Sequence, residues 1–230
     1  MDTRPSGRRP QQMREVRFEL DYTKWAEGSV LCAFGDTWVL CTASVEERVP
    51  PWMNEPGRGW VTGEYAMLPR STDRRNRRES TQGKVGGRTQ EISRLVGRSL
   101  RAAVDLDRLG ERTITVDCDV LQADGGTRTA AITGGWLALA LAIKRTRRKG
   151  LIAADPVARQ VAAVSVGLFG SDAWVDLDFA EDQRADADIN LVMTSEDTWV
   201  EVQGTAEKQA FDRATLNRVL DAGAEALRSV

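Results

Sequence analysis

The first part of the chain alternates between apolar and polar positions. Apolar and charged residues alternate over 16–20, which predicts a half-buried strand. Two longer apolar runs, 29–34 and 37–45, flank Gly35 and Asp36. Two apolar runs that are separated by a Gly-Asp turn predict a β-hairpin.

The spacing of apolar residues changes three times in the middle of the chain. Residues 60–67 predict another strand, whereas 70–87 lose all periodicity and predict a long exposed loop. Apolar residues then recur every three or four positions over 89–104, as in an amphipathic helix. Clean alternation over 112–123 predicts the clearest strand, and the apolar stretch that ends near Lys144 predicts a buried helix.

The last third of the chain combines short strands with one helix. An N-cap candidate, Asp212, precedes the final amphipathic stretch. Antiparallel hairpins mixed with strand–helix units predict an α+β fold: one domain over 1–230, with helices packed on mixed sheets. The remaining strands are predicted at 161–169, 174–177, 189–193 and 199–202.

Composition narrows the cellular setting and the chemistry. The 230 residues contain no apolar run near the ~18 that a membrane span needs, and no apolar segment follows the basic N-terminus, so we expect a cytoplasmic protein. Cys32, Cys41 and Cys118 are odd in number and lie among apolar residues, which predicts reduced core thiols. The chain has no histidine, which excludes Ser-His and Cys-His nucleophilic machinery.

The near-neutral net charge of −2 conceals two charged regions. Residues 70–88 hold seven basic and two acidic side chains, whereas 172–201 hold ten acidic side chains and one basic. Such separation favours a polyanion at the first region and a cation at the second.

The segment DGGTRT at 124–129 is a candidate anion cradle. It lies between the clearest strand and the buried helix, where glycines allow close backbone approach and free amides attract an anion. Gly126, Thr127 and Arg128 would supply an amide, a hydroxyl and a guanidinium, and Arg88 begins the preceding helix. A tight strand-to-helix turn and an ordinary surface arginine are the alternatives. The segment lacks the GK[ST] of a Walker A loop.

Two further groups of side chains match this anion site. A short connection separates Asp182 from Asp188, and two carboxylates with waters and phosphates suit Mg²⁺, although a solvated acidic face is the alternative. Arg70, Arg75 and Arg78 in the basic loop suit a nucleic-acid backbone, with a solvated loop as the alternative.

Several segments together resemble the bacterial ribonuclease PH family, nearly end to end and in order. They are AEGSVL (26–31), VLCTASVEE (39–47), GGRTQEISRLVGRSLRAAVDL (86–106), GERTITVDCDVLQADGGTRTAAITG (110–134) and EVQGTAE (201–207). The resemblance implies a domain of paired βαβα units and a homohexameric ring built as a trimer of dimers. It implies phosphate-dependent 3′–5′ trimming of tRNA precursors, reversible as nucleotidyl transfer, with rRNA as a further substrate class.

The resemblance also assigns roles to individual residues. Inorganic phosphate would be held by Arg88, Gly126, Thr127 and Arg128, Mg²⁺ by Asp182 and Asp188, and tRNA by Arg70, Arg75 and Arg78. One of the two aspartates would alternatively transfer a proton. A catalytically silent RNA-binding ring subunit of the exosome type and a hydrolytic nuclease are the alternative functions. The chain departs from the family pattern at Ser6, Trp25, Asp73 and Leu141.

Overall fold

The computed structural model describes residues 4–230; the first three residues of the predicted domain lie outside this part. The nine strands of the described part are β1 (Val16–Leu20), β2 (Gly28–Phe34), β3 (Thr37–Glu46), β4 (Trp60–Met67), β5 (Thr113–Gln122), β6 (Val161–Phe169), β7 (Asp172–Val175), β8 (Ala187–Thr194) and β9 (Trp199–Ala206). Its α-helices are α1 (Gly87–Arg101), α2 (Leu106–Leu109), α3 (Thr127–Arg148), α4 (Phe179–Asp182) and α5 (Arg213–Leu227).

Five strands form the first sheet, in the order β1-β2-β3-β5-β4. Only the β4–β5 pair of this sheet is parallel, so the sheet is mixed. One face is apolar because every second residue of β3 and β5 is buried, and α1 and α3 pack on the first sheet. Cys41 and Cys118 are directly opposite each other on that face.

Four antiparallel strands form the second sheet, in the order β7-β6-β8-β9. Successive side chains of β6 point to opposite sides, so Ala163 joins the core around α3 whereas Val164 joins the core against α5. Helix α3 therefore lies between the two sheets and α5 covers the far face of the second. This four-layer arrangement brings the N-terminus of α3 beside the connection between β7 and β8.

The α+β class with helices packed on mixed sheets is confirmed, and the differences from the sequence predictions are local. The strand expected at 174–177 ends at Val175, because Asp176 adopts a left-handed φ of +54°. The exposed loop 70–87 contains one 3₁₀ turn, Glu79–Gln82, and α1 begins at Gly87. The four-residue helices α2 and α4 were too short to give a periodic signal.

Two predictions from composition can also be compared with the structure. Cys32, Cys41 and Cys118 are buried and free, which confirms the core thiols. Within residues 4–230, no helix is both long and apolar enough to span a bilayer.

Candidate active site

The candidate anion cradle is a turn with two successive glycines in the left-handed conformation. Strand β5 ends at Gln122 and α3 begins at Thr127, with Gly125 at φ +74° and Gly126 at φ +64° between them. A Cβ on Gly125 would lie 2.5 Å from the backbone oxygen of Leu177. Gly126 caps α3 without a side-chain hydrogen bond, so the first amides of a 22-residue helix remain available to an anion.

Two side chains from the N-terminal segments hold this turn from beneath. Arg14 donates from Nη1 to the Asp124 carbonyl at 2.5 Å, and Thr37 donates from Oγ1 to the Gly125 carbonyl at 2.6 Å. The Arg14 guanidinium also donates to both carboxylate oxygens of buried Asp176, at 3.0 and 2.7 Å. The cradle is thus fixed by an ion pair that reaches from the N-terminal segment to the end of β7.

The Thr127 hydroxyl, the first side chain of α3, is oriented by Tyr65. The two hydroxyls share a buried 2.8 Å hydrogen bond. Burial raises the pKa of the Tyr65 phenol, so the phenol stays neutral at physiological pH. The hydroxyl of Thr127 is therefore held at the start of α3 by a rigid partner from β4.

The two predicted phosphate arginines have different surroundings. Arg128 donates from Nη1 to Gln203 Oε1 at 2.9 Å and lies 3.5 Å from Glu91, and Gln203 in turn donates to Glu91 at 2.9 Å. Arg88, the second residue of α1, is exposed and has no hydrogen bond or ion pair with any other described residue. Arg128 is thus preoriented, whereas Arg88 makes no direct ion pair among the described residues and its charge acts on Asp182 at longer range.

Asp182 and Asp188 come from two different elements. Asp182 ends the one-turn helix α4, which a reciprocal capping box between Asp178 and Glu181 stabilises. Glu181 is buried and accepts hydrogen bonds from Arg4 at 2.9 and 2.6 Å. Asp188 lies near the start of β8, so the connection between α4 and β8 returns both carboxylates to one cleft.

Asp188 is an incompletely satisfied carboxylate. Its Oδ2 accepts a 3.1 Å hydrogen bond from Asn190, whereas its Oδ1 is buried without a hydrogen-bond partner among the described residues. Desolvation, reinforced by the charge of Asp182, raises the pKa of Asp188 to about 6, against the opposing effect of Arg128. Desolvation also raises the pKa of Asp182. Both carboxylates are therefore less well stabilised as anions than free aspartates are.

One cleft of about 710 Å³ brings six of the predicted residues together. A second cleft of about 680 Å³ shares its wall, which includes both arginines and both aspartates, and continues past Gln203 to Lys208. The six residues that line the first cleft are Arg88, Gly126, Thr127, Arg128, Asp182 and Asp188.

The basic loop contributes other residues to the cleft than the predicted ones. Arg70, Arg75 and Arg78 are exposed and do not line the cleft, whereas Thr72, Asp73, Arg74 and Asn76 do. The Arg70 guanidinium instead donates to the Asp73 carbonyl at 2.7 Å.

The four departures from the family pattern lie in different surroundings. Ser6 joins the ionic network of α4, since its hydroxyl accepts from Arg8 at 3.0 Å and lies 3.4 Å from a Glu181 oxygen. Trp25 is exposed beneath the Lys24 ammonium, and Leu141 packs against the main core. Asp73 alone among them lines the first cleft.

Several residues that shape the site were missed from the sequence. Asn190 carried a usable signal, because it lies two positions after Asp188 in a strand and so points to the same side. Arg14 and Asp176 are 162 positions apart, and no local pattern relates them. Nothing in the sequence distinguishes Tyr65 from the other residues of its strand.

The carboxylate pair fits a hard divalent cation of the Mg²⁺ type. Residues 4–230 contain no cluster of three or more His, Cys, Asp or Glu side chains that would bind a metal by themselves. Mg²⁺ is usually bound by one or two carboxylates and completes its shell with waters and substrate phosphates. The unpartnered Oδ1 of Asp188 beside Asp182 matches that mode of binding.

Uncapped helix amides, two arginines and a desolvated carboxylate pair lie in one cleft, an arrangement suited to binding a phosphate anion. The chain belongs to the 3′ exoribonuclease family. Its residues 12–144 match domain 1 of the family and residues 159–226 match domain 2.

Solved structures share the fold at low sequence identity. An Archaeoglobus fulgidus exosome with RNA bound to the active site is 23% identical with a TM-score of 0.85, covering 99% of this chain and 91% of that one. Rice (Oryza sativa) Rrp46 is 21% identical with a TM-score of 0.78, and the match covers 98% of this chain and 95% of that one. An archaeal exosome core is 23% identical with a TM-score of 0.79, covering 97% and 87%.

Proposed function

We propose that this protein is a phosphate-dependent 3′–5′ exoribonuclease of the bacterial ribonuclease PH type, which trims tRNA precursors and rRNA. We further propose that it acts in the cytoplasm as a homohexamer, a trimer of dimers, with Mg²⁺ as its metal. The observation that carries the activity is the convergence of Arg88, Arg128 and the α3 N-terminus on a cleft that also contains Asp182 and Asp188.

In the proposed reaction, an oxygen of inorganic phosphate attacks the phosphorus of the terminal phosphodiester. The bond between that phosphorus and the 3′ oxygen breaks, and the proton of the hydrogen phosphate passes to the departing 3′ oxygen. The products are a nucleoside 5′-diphosphate and an RNA that is one residue shorter. Because one phosphorus–oxygen linkage replaces another, excess nucleoside diphosphate drives the reverse reaction, nucleotidyl transfer.

The side chains of the cleft would act mainly by positioning and by neutralising charge. Arg88, Arg128, the Thr127 hydroxyl and the Gly126 amide would hold the attacking phosphate in line with its target. The attacking phosphate is already ionised near neutral pH, so the site needs no strong base. Mg²⁺ held by Asp182 and Asp188 would offset charge on the scissile phosphate when bound. The raised pKa of Asp188 leaves this residue as the alternative proton donor to the 3′ oxygen.

The deciding experiment is incubation of a 3′-extended tRNA with the protein and Mg²⁺, with and without inorganic phosphate, followed by chromatography of the released nucleotides. Nucleoside diphosphates that appear only with phosphate are the expected result. Monophosphates under both conditions would identify a hydrolase. Bound but intact RNA would identify the alternative, a catalytically silent RNA-binding ring subunit.

A further inference from the structure

Phe179 presents an apolar ring to the same cleft that contains the phosphate cradle. It is the one aromatic residue among the described residues that line this cleft, and it is 52% exposed. Most phenylalanines are removed from water by folding, because exposing an aromatic ring forgoes the free energy of its burial. An exposed ring inside a charged cleft is available to stack against a bound ligand.

The backbone that carries this ring is fixed beside the cradle. The Phe179 amide donates to Asp124 Oδ1 at 3.3 Å, and a Cβ on Gly125 would lie 2.8 Å from the Phe179 nitrogen. Phe179 begins α4, whose turn is held by the Asp178–Glu181 capping box. The backbone of Phe179 therefore lies directly against the glycine turn that leads into α3.

The ring and a catalytic carboxylate share one helical turn. Asp182 lies three positions after Phe179 in α4, and side chains at that spacing lie on the same side of a helix. The neighbouring cleft, on the other side of Asp182 and Asp188, is lined by Gln183, Gln203, Lys208 and other polar residues and has no aromatic residue among the described ones. A planar apolar group attached to a phosphate would therefore find a stacking surface only in the Phe179 cleft.

We propose that Phe179 is the stacking surface for the base of the 3′-terminal nucleotide of the RNA substrate. The identification of the ligand as RNA rests on the proposed function. Stacking on a phenylalanine face is tolerant of base identity, because every base has an aromatic face. The terminal base must leave its own stack to reach the ring, so the substrate requires an unpaired 3′ end.

The test is equilibrium binding of a short single-stranded RNA with 2-aminopurine as its 3′-terminal base, measured by fluorescence without inorganic phosphate so that no phosphorolysis occurs. Stacking on the ring is expected to quench the fluorophore. F179A is expected to remove most of the quenching and to raise the Kd about fivefold to a hundredfold. F179Y keeps the ring and is expected to stay within about twofold of the wild type.

Two controls separate stacking from general effects. W52A removes a ring that is 63% exposed outside both clefts, and it is expected to leave the Kd unchanged. An oligonucleotide with an abasic terminal residue is expected to bind the wild type weakly and F179A equally weakly. Thermal unfolding of each variant shows whether it is folded.

The stacking role would be overturned by equal quenching and Kd in F179A, by equal affinity of the wild type for the abasic and the intact oligonucleotide, or by no binding at all. A change of oligomeric mass in F179A at an unchanged Kd would assign the ring to a protein contact and overturn it as well. Failure of the proposed function alone would give a different result. The quenching would still depend on Phe179, but the protein would release no nucleoside diphosphate.

Discussion

Asn190 donates a single hydrogen bond of 3.1 Å to Asp188 and leaves the other carboxylate oxygen buried without a partner among residues 4–230. A half-satisfied buried carboxylate destabilises the folded protein, because the charged form has lost water without full replacement. An oxygen that is left without a partner is available to a ligand. The relationship between these two side chains therefore links the stability of the protein to its chemistry.

Replacing Asp188 with asparagine should stabilise the protein at neutral pH. The pKa of Asp188 is about 6 in the folded protein, against an ordinary value of 3.8. Between those values the folded state retains a proton that the unfolded state has released, so stability falls as the pH rises from 4 to 6. At roughly 1.4 kcal/mol per pH unit, Asp188→Asn should gain about 3 kcal/mol at pH 7 and little at pH 4.

Chemical denaturation at the two pH values checks this prediction. The chain has no histidine, so no imidazole titrates in the same range. Mg²⁺ should stabilise the wild type at pH 7 and leave Asp188→Asn unaffected, because the variant has lost a ligand. A wild type that is as stable as the variant at pH 7 without Mg²⁺ would contradict the desolvation argument.

A comparison of Gly125 with Gly83 separates two reasons for a glycine in the cradle: the lack of space for a Cβ and the left-handed φ. The two glycines have nearly the same φ, +74° and +73°, but a Cβ at Gly125 would meet backbone at 2.5 Å whereas Gly83 has nothing within 4 Å. Gly83→Ala should cost about 1 kcal/mol of stability from the left-handed conformation alone. Gly125→Ala should cost about 3 kcal/mol or more, because the glycine turn and the connection between β7 and α4 must separate.

Urea denaturation of both variants measures the two costs. Gly125→Ala should also lose phosphate-dependent activity, since the turn it distorts leads directly into α3. Equal costs at the two positions would mean that the turn can move away from Leu177.

The sequence was informative where the physical signal is local. Alternation along β5 and the DGGTRT segment predicted a strand, a glycine turn and a helix in the right order, and the Asp182–Asp188 spacing predicted that both carboxylates reach one place. Each of these features depends on neighbours within a few residues. Their positions could be read from period and residue type alone.

The rest of the site depends on contacts between distant segments. The contacts of Arg14 with the cradle and with Asp176 depend on the packing of both sheets on α3. The choice of Arg74 over Arg75 at the cleft depends on the path of an aperiodic loop. The left-handed Asp176 is stabilised by Arg14, and a sequence scan sees only an aspartate among acidic residues.

Arg14 is expected to affect phosphate binding indirectly, by holding the turn that forms the cradle. Arg14→Lys keeps the charge beside Asp176 but loses the planar fork that also reaches the Asp124 carbonyl. The KM for phosphate should rise about tenfold while the KM for RNA changes little, because the turn and not the RNA surface is loosened. Steady-state kinetics with each substrate varied checks this, with Arg17→Lys at an exposed position of β1 as the control. A fall in kcat alone would exclude the positioning role.

Arg88 is expected to bind the attacking phosphate directly. It makes no direct hydrogen bond or ion pair among the described residues, so the fold should remain intact in Arg88→Ala, although the variant loses a charge that lowers the pKa of Asp182. Removing one donor to developing charge typically lowers kcat about a hundredfold or more. Arg94→Ala, at an exposed position of the same helix and outside both clefts, should retain full activity. Retained turnover in Arg88→Ala would remove this residue from the mechanism.

Arg74 and Arg75 should have different effects on RNA, although they are adjacent. Arg74 lines the cleft and Arg75 is exposed outside it. Arg74→Ala should weaken a short oligonucleotide and a 3′-extended tRNA alike, whereas Arg75→Ala should weaken the tRNA more, because only a long RNA reaches beyond the cleft. Each substitution should reduce the slope of log Kd against log salt by about one for an RNA that it contacts. Equal losses on both RNAs for Arg75→Ala would contradict a guiding role for the loop outside the cleft.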